Sequence, residues 1–414
     1  MFDLAVMWDW LAFSVRWLHV ITAIAWIGAS FYFIALDLGL RKAPDLPKGA
    51  YGEEWEVHGG GFYHTTKYLV APDRLPEHLT WHKWQSYWTW ISGALLLAIV
   101  YWAGAELFLI DPEKADLAGW QAIGLSAAFI AVGWVGYDAL CRSPLKDSPT
   151  AVMLVLFAGI VLASWLLNQI FTGRAALLHL GAMTATIMTG NVFFVIMPNQ
   201  RIVIADLKAG RTPEAKYGQI AKLRSTHNNY LTLPVLFLML SNHYPLATST
   251  EHAWIIACLV FLTGVTIRHY FNTLHATGEG PIWTWGATAL LVVAMAWLST
   301  ASGFDGDYES LEEAELSGTA LAFASSPAFD EAANAVRGRC SMCHAREPIW
   351  DGMYWAPKGV HLETDADIAS HAREIYLQSG ISHAMPPANL TEMLPEERAA
   401  IRRWYRGGED VAAR

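Results

Sequence analysis

Charge is scarce in this chain: 16% of its 414 residues are Asp, Glu, Lys or Arg, against 54% apolar residues and 20 Trp. A soluble globular domain carries about a quarter of its residues as charged groups, so that class is excluded. Disorder, which needs low hydrophobicity and high charge, is excluded with it. Cysteine is equally sparse. Of Cys141, Cys258, Cys340 and Cys343 only the last two are close enough in sequence to act together, which removes a disulfide framework. No basic stripe is present, so no nucleic-acid partner is expected, and no internal repeat of fixed period is visible.

What charge there is falls unevenly. Residues 1–300 carry a net −1 and residues 301–414 a net −9, the pattern of an apolar membrane unit joined to an acidic, water-exposed one. Crossing ~30 Å of hydrocarbon takes ~20 mostly apolar residues as a helix. Eight such segments are found, at 10–36, 84–104, 118–140, 150–171, 175–197, 229–247, 252–271 and 281–300. The first is too long for a signal peptide and lacks a small-residue cleavage site, so it counts as a helix. The fold class expected is all-α: a polytopic bundle of about eight transmembrane helices over residues 1–300, a linker at 301–326, and a small class I cytochrome c-like domain over 327–414.

Basic residues mark the cytoplasmic loops. The first loop carries six Lys/Arg from Arg41 to Lys83, the third Arg142 and Lys146, and the fifth six from Arg201 to Arg224. The seventh opens at Arg268, whereas the opposite loops hold only Lys114 and Arg174. The expected location is a bacterial inner membrane with both chain ends periplasmic, the side on which haem is attached to c-type cytochromes.

The C-terminal part contains Cys340-Ser341-Met342-Cys343-His344. Cys-x-x-Cys-His is the attachment signature of a covalent haem c. Two thiols one turn apart reach the vinyl groups on one haem edge, and the adjacent imidazole faces the iron. His344 is then the proximal ligand, and Met385, in Ala384-Met385-Pro386-Pro387, the distal thioether, with Met353 and Met393 as competitors. His361, His371 and His383 read as surface histidines. A zinc site lacks a second cysteine pair, and a thioredoxin-like motif lacks its strand-to-helix context.

Ionisable groups at membrane depth point to function. Arg16 and His19 share a face of the first segment, and with His179, His243 and His252 they make an outer polar cluster. An inner set comprises His58, His64, His78, His82, His227, His269 and His275, of which the run Ser225-Thr226-His227-Asn228-Asn229-Tyr230 could read the edge of a flat heterocycle.

The chain resembles the membrane-bound cytochrome c urate oxidases, bacterial proteins with an eight-helix urate oxidase domain fused to a cytochrome c. The resemblance rests on Trp17-Leu18-His19 with Trp26-Ile27-Gly28, on His58-Gly59-Gly60-Gly61-Phe62-Tyr63, and on His227-Asn228-Asn229-Tyr230-Leu231-Thr232-Leu233-Pro234. Ser241-Asn242-His243-Tyr244-Pro245 and the haem string complete it. It implies oxidation of urate to 5-hydroxyisourate, with electrons leaving through the haem to a respiratory acceptor such as a terminal oxidase or a soluble cytochrome, and without hydrogen peroxide.

Urate is largely a monoanion at neutral pH, so its recognition calls for a cation, and its oxidation for a base and a water. Arg16, taken as the one cation buried well inside a span, is the candidate anchor. His19 or His227 is the candidate base, and Asn229, His179 and His243 complete the candidate set. The outer half is the favoured location because it faces the haem. A urate site near His227 and Asn229 would need a further intramembrane cofactor, such as a haem b. The competing class is a non-enzymatic, quinol-linked electron conduit in which His19 and His179 ligate a haem b.

Overall fold

The computed structural model describes residues 4–68, 76–112, 114–301, 316, 318–351, 353 and 356–412. Every expected apolar segment lies mainly in a helix: α1 (Leu4–Gly39), α2 (Trp84–Leu96), α3 (Gly119–Arg142), α4 (Pro149–Ile170), α5 (Gly173–Gly190), α6 (Met197–Lys208), α7 (Ala215–Leu240), α8 (Ala253–Thr277) and α9 (Trp283–Ala301). Local chemistry sets several starts and stops. Ser148 caps α4 ahead of Pro149 and Thr172 caps α5 through the amide of Ala175, while Gly278, at φ 85°, ends α8. A π-turn at Asn191–Ile196 joins α5 and α6 into one rod, and another at Leu97–Trp102 prolongs α2.

Among the described residues, six helices are long and apolar enough to cross a membrane: α1, α3, α4, the α5–α6 rod, α8 and α9. The other two fall short for visible reasons. α2 gives way to its π-turn after 13 residues, and the first half of α7 carries Lys216, Lys222 and Arg224. The α5–α6 rod is the central element, and Leu177, Leu180, Ile187 and Met188 pack there against Leu167, Phe171 and Leu238. The outer helices turn Trp17, Ile24, Trp120, Val132, Leu154, Leu290 and Trp297 outward. A belt of that extent is the surface that lipid covers.

The structure is mainly helical, as expected, with one element the sequence reading did not include. The first loop contains an antiparallel hairpin, β1 (Ala50–His58) with β2 (Gly61–Tyr68). Gly59 and Gly60 turn it, at φ 61° and 80°, as a two-residue hairpin loop requires. The alternation of Glu54 and Glu56 with Trp55 and Val57 is its signal in the sequence. The hairpin pairs back on Arg41 through Glu53 and closes one end of the bundle. Residues 69–75 of that loop lie outside the described residues.

At the other end stands a second apolar core. It is made by α10 (Gly318–Ala324), α11 (Phe329–His344), α12 (Asp365–Ser370), α13 (Ala372–Ile375) and α14 (Pro395–Ala412). Trp404 sits at its centre with Phe323, Phe329, Val336, Ile368 and Ile401, and its indole N–H donates to the Phe323 carbonyl at 2.8 Å. The first turn of α1 reaches into this core: Ala5 is buried there and its carbonyl accepts from Arg373 at 3.2 Å. Of the expected linker at 301–326, residues 302–315 and 317 lie outside the described residues, and Gly318–Ala324 is helix.

Candidate functional site

The polar groups of the bundle form a layer where α3, the α5–α6 rod, α7 and α8 meet. Pro234 inside α7 has no N–H to give, and α8 answers it with Gly264, where a Cβ would lie 2.5 Å from the Pro234 ring. This close approach brings the polar run of α7 against its neighbours. The run then fans out at ~100° per residue. His227 faces α3: its Nδ1 is 2.8 Å from the Tyr137 hydroxyl, which also accepts from Asn191 at 3.0 Å. Asn228 faces the rod, accepting from Asn191 at 2.8 Å and donating to the Met188 carbonyl at 2.9 Å. Asn229 faces α8, where its Oδ1 accepts from Arg268 at 3.3 Å and from Asn272 at 2.9 Å. His227 and Asn229 are therefore both buried but address different helices.

Arg224 lies on the same layer. It donates to Asp138 at 2.7 Å and to Asn191 at 3.1 Å, and stacks over Tyr137. Sequence reasoning missed Arg224, Arg268, Tyr137, Asn191 and Asp138. The two arginines had been counted as loop cations, although Arg268 falls within the 252–271 segment. α8 runs on to Thr277, which places Arg268 nine residues from its end.

The outer candidates separate. Arg16 is exposed and has no hydrogen bond or ion pair among the described residues. The premise that it is the buried cation is corrected: Arg224 and Arg268 are the buried ones. His19 packs on α2, its Nδ1 donating to the Thr89 carbonyl at 3.0 Å with Ser92 Oγ at 3.1 Å, which leaves Nε2 with its lone pair. His179 is fully buried with both nitrogens used. Nδ1 donates to the Ala175 carbonyl at 2.7 Å, and Nε2 accepts from Ser126 at 2.6 Å. That arrangement leaves no lone pair for iron. His243 is exposed at the end of α7, within electrostatic range of Arg16, Arg174 and Lys358.

In the second core, Cys340 and Cys343 are free thiols on the last turn of α11. Burial pushes the Cys340 thiol up to about 12, so it is not a reactive thiolate. His344 ends the helix with Nδ1 donating to the Val360 carbonyl at 2.9 Å, and burial holds the imidazole below its ordinary value. Its free atom is Nε2. Met385 is half-buried, and its backbone is clamped: its N–H donates to Gln378 at 2.9 Å and its carbonyl accepts from Arg398 at 2.8 Å. Arg398 also holds the Ser379 carbonyl at 2.7 Å and Asn389 at 2.9 Å. Around Met385, four non-glycine residues take left-handed φ: His383, Ala388, Asn389 and Glu392. Strain of this kind persists only where the surroundings fix it. Met393 is packed inside the core, whereas Met353 is half-buried. Of the three histidines expected on the surface only His383 is exposed; His361 and His371 are half-buried.

No group of three or more His, Cys, Asp or Glu among the described residues could hold a metal ion by itself. A family model, urate oxidase N-terminal, matches residues 5–299, ending with α9 and before the second core. No curated protein and no solved structure matches the chain.

Proposed function

The chain belongs to the urate oxidase N-terminal family, and on that footing we propose that it oxidises urate to 5-hydroxyisourate within a bilayer and delivers the electrons to a haem c on its C-terminal core. The observation that carries this reading is the family match, which takes in every helix of the bundle. Written for the monoanion, urate and one water give neutral 5-hydroxyisourate, one proton and two electrons. The water supplies the added oxygen, so molecular oxygen need not enter the site.

The residues of the second core fit a haem c. Cys340 and Cys343 are one turn apart and unpaired. His344 is already oriented by Val360, the usual outer-shell device for a ligating imidazole, and presents Nε2 to an iron. Met385 is the thioether on a clamped segment. When bound, the haem supplies an iron that takes one electron at a time, so one urate answers to two such uptakes. Exposed Ile349, Ile381, Leu390 and Leu394, in the segments around the motif and Met385, are the kind of apolar surface a porphyrin covers.

The placement of Lys and Arg supports a bacterial inner membrane crossed eight times, with the hairpin cytoplasmic and the second core periplasmic. α2 and α7 then cross with the six apolar helices, α2 turning Trp88, Trp90, Ile91 and Leu95 outward and α7 burying His227, Asn228 and Asn229. A respiratory acceptor, either a terminal oxidase or a soluble cytochrome, would take the electrons onward.

The test is product analysis. With soluble cytochrome c as acceptor, the haem-loaded protein should consume urate and form no hydrogen peroxide. Peroxide equal to the urate consumed would overturn the reading.

Met385→Ala should leave the haem attached and lower its midpoint potential, within the ~0.8 V that axial ligands span. Arg398→Leu should move the potential the same way by freeing the Met385 segment. Potentiometric titration of the visible bands checks both, and an unchanged potential in Met385→Ala would pass the ligand role to Met353.

A further inference from the structure

Of the two arginines buried in the bundle, only one has a counter-ion. Arg224 is 4% exposed and meets Asp138 at 2.7 Å. Arg268 is 7% exposed and makes no ion pair among the described residues. Its Nε and Nη2 donate to Asn229 and Asn272, both neutral, and its guanidinium lies 4.5 Å from the ring centre of Phe31 on α1. Its Nη1 donates to nothing among the described residues. Asn229 is fully buried; its oxygen serves Arg268 and Asn272, and its Nδ2 has no partner among the described residues. Buried charges are ordinarily paired, and buried amides hydrogen-bonded. Here a cation without a counter-ion stands beside an amide donor without an acceptor among the described residues. The complement is an anion with several acceptor atoms.

Resting on the urate reading, we propose that Arg268 and Asn229 bind the urate monoanion between α1, α7 and α8. The guanidinium offsets the negative charge, the Asn229 amide donates to a ring oxygen or nitrogen, and Phe31 holds the guanidinium plane from the far side. Arg268 lies about 22 Å from the C-terminal-core end of α8 at ~1.5 Å per residue, so the site belongs to the hairpin half of the bundle, and electrons from urate bound there reach the C-terminal haem through a further redox group in the membrane, such as a haem b. Between α1 and α8 a cavity of about 300 Å³, lined by Tyr32, Leu36, Arg41, Glu54, Glu56 and His275 among others, opens two turns beyond Arg268 on that side and is separate from the anion site. The outer cations Arg16 and Arg174 are the rival anchor: Arg16 is exposed, and Arg174 is half-buried with its guanidinium over the Phe108 ring.

The experiment measures urate affinity and melting temperature on the haem-loaded full chain in detergent. Arg268→Gln removes an unpaired buried charge and keeps a hydrogen-bonding amide, so it should melt at the same temperature or higher. It should nevertheless bind urate about 10- to 150-fold more weakly, the worth of a hydrogen bond to a charged group. Asn229→Asp gives Arg268 an internal counter-ion of nearly the same shape, and it should stabilise the fold while abolishing urate binding. Wild-type affinity in Asn229→Asp, or in a folded Arg268→Gln, would overturn the site, as would loss of binding in Arg16→Gln or Arg174→Gln with full affinity in both inner variants. Haem reduction by urate is recorded on the same samples. If the wild type binds urate through Arg268 without reducing haem, the oxidase reading falls and the anion site stands. If it reduces haem while Arg268→Gln binds normally, the reverse holds.

Discussion

Replacing Cys343 with alanine should remove covalent haem from the protein and leave the bundle folded. The expectation rests on where the residue sits. Cys343 is half-buried on the last turn of α11, next to His344, and takes no part in the bundle core, whose apolar residues form a cluster separate from that around Trp404. Its loss deletes one of two thioethers on the edge that aims the porphyrin at the imidazole, while Cys340, buried among Val336 and its neighbours, keeps its packing role. Haem staining on a denaturing gel should fall to background, and the amount of membrane-inserted protein should not change. Staining equal to the wild type would refute the attachment site.

Gly264→Leu should disrupt the bundle strongly. A Cβ at this position would stand 2.5 Å and 2.7 Å from Pro234 Cδ and Cγ and 3.3 Å from its nitrogen. A proline ring cannot rotate away, and its nitrogen is backbone, so one helix must move. Overpacking a tight contact costs ~1–3 kcal/mol where side chains can yield; here the cost should reach or pass the upper figure. The consequence is also local. Arg268 is one turn further along α8 and Asn229 just over one turn back along α7, so separating the helices should pull apart the pair that holds the anion. A lower melting temperature and weakened urate binding are expected together. A variant that melts with the wild type would show that α7 and α8 do not meet here.

The helices were legible because ~20-residue apolar runs have few alternatives to a spanning helix. The hairpin was not, since the first loop was read for its positive charge while its signal lies in alternation and paired glycines. Arg268 was hidden for a related reason. Hydropathy falls where a helix carries Arg268, His269 and Asn272, so the span was ended early and its cation assigned to a loop. His227 and Asn229 stand out in the sequence as a polar run, but a linear run suggests one edge, whereas a helix turns three consecutive side chains toward three partners. Arg16 was chosen because it stood alone in an apolar segment; sequence gives depth along a helix and not which way the side chain faces. In the C-terminal core the Cys-x-x-Cys-His spacing of Cys340, Cys343 and His344 was plain, yet the clamp that Arg398 places on Met385 crosses elements and has no sequence signature.

The measurement that tests the central proposal most directly is an anaerobic titration of the oxidised, haem-loaded protein with urate, followed in the haem optical bands. Two haems should be reduced for each urate consumed, without any added mediator, and Arg268→Gln should require far more urate to reach the same reduction. Bands that stay oxidised at saturating urate, in a sample whose haem is reducible by dithionite, would contradict the claim that this chain passes electrons from urate to its own haem.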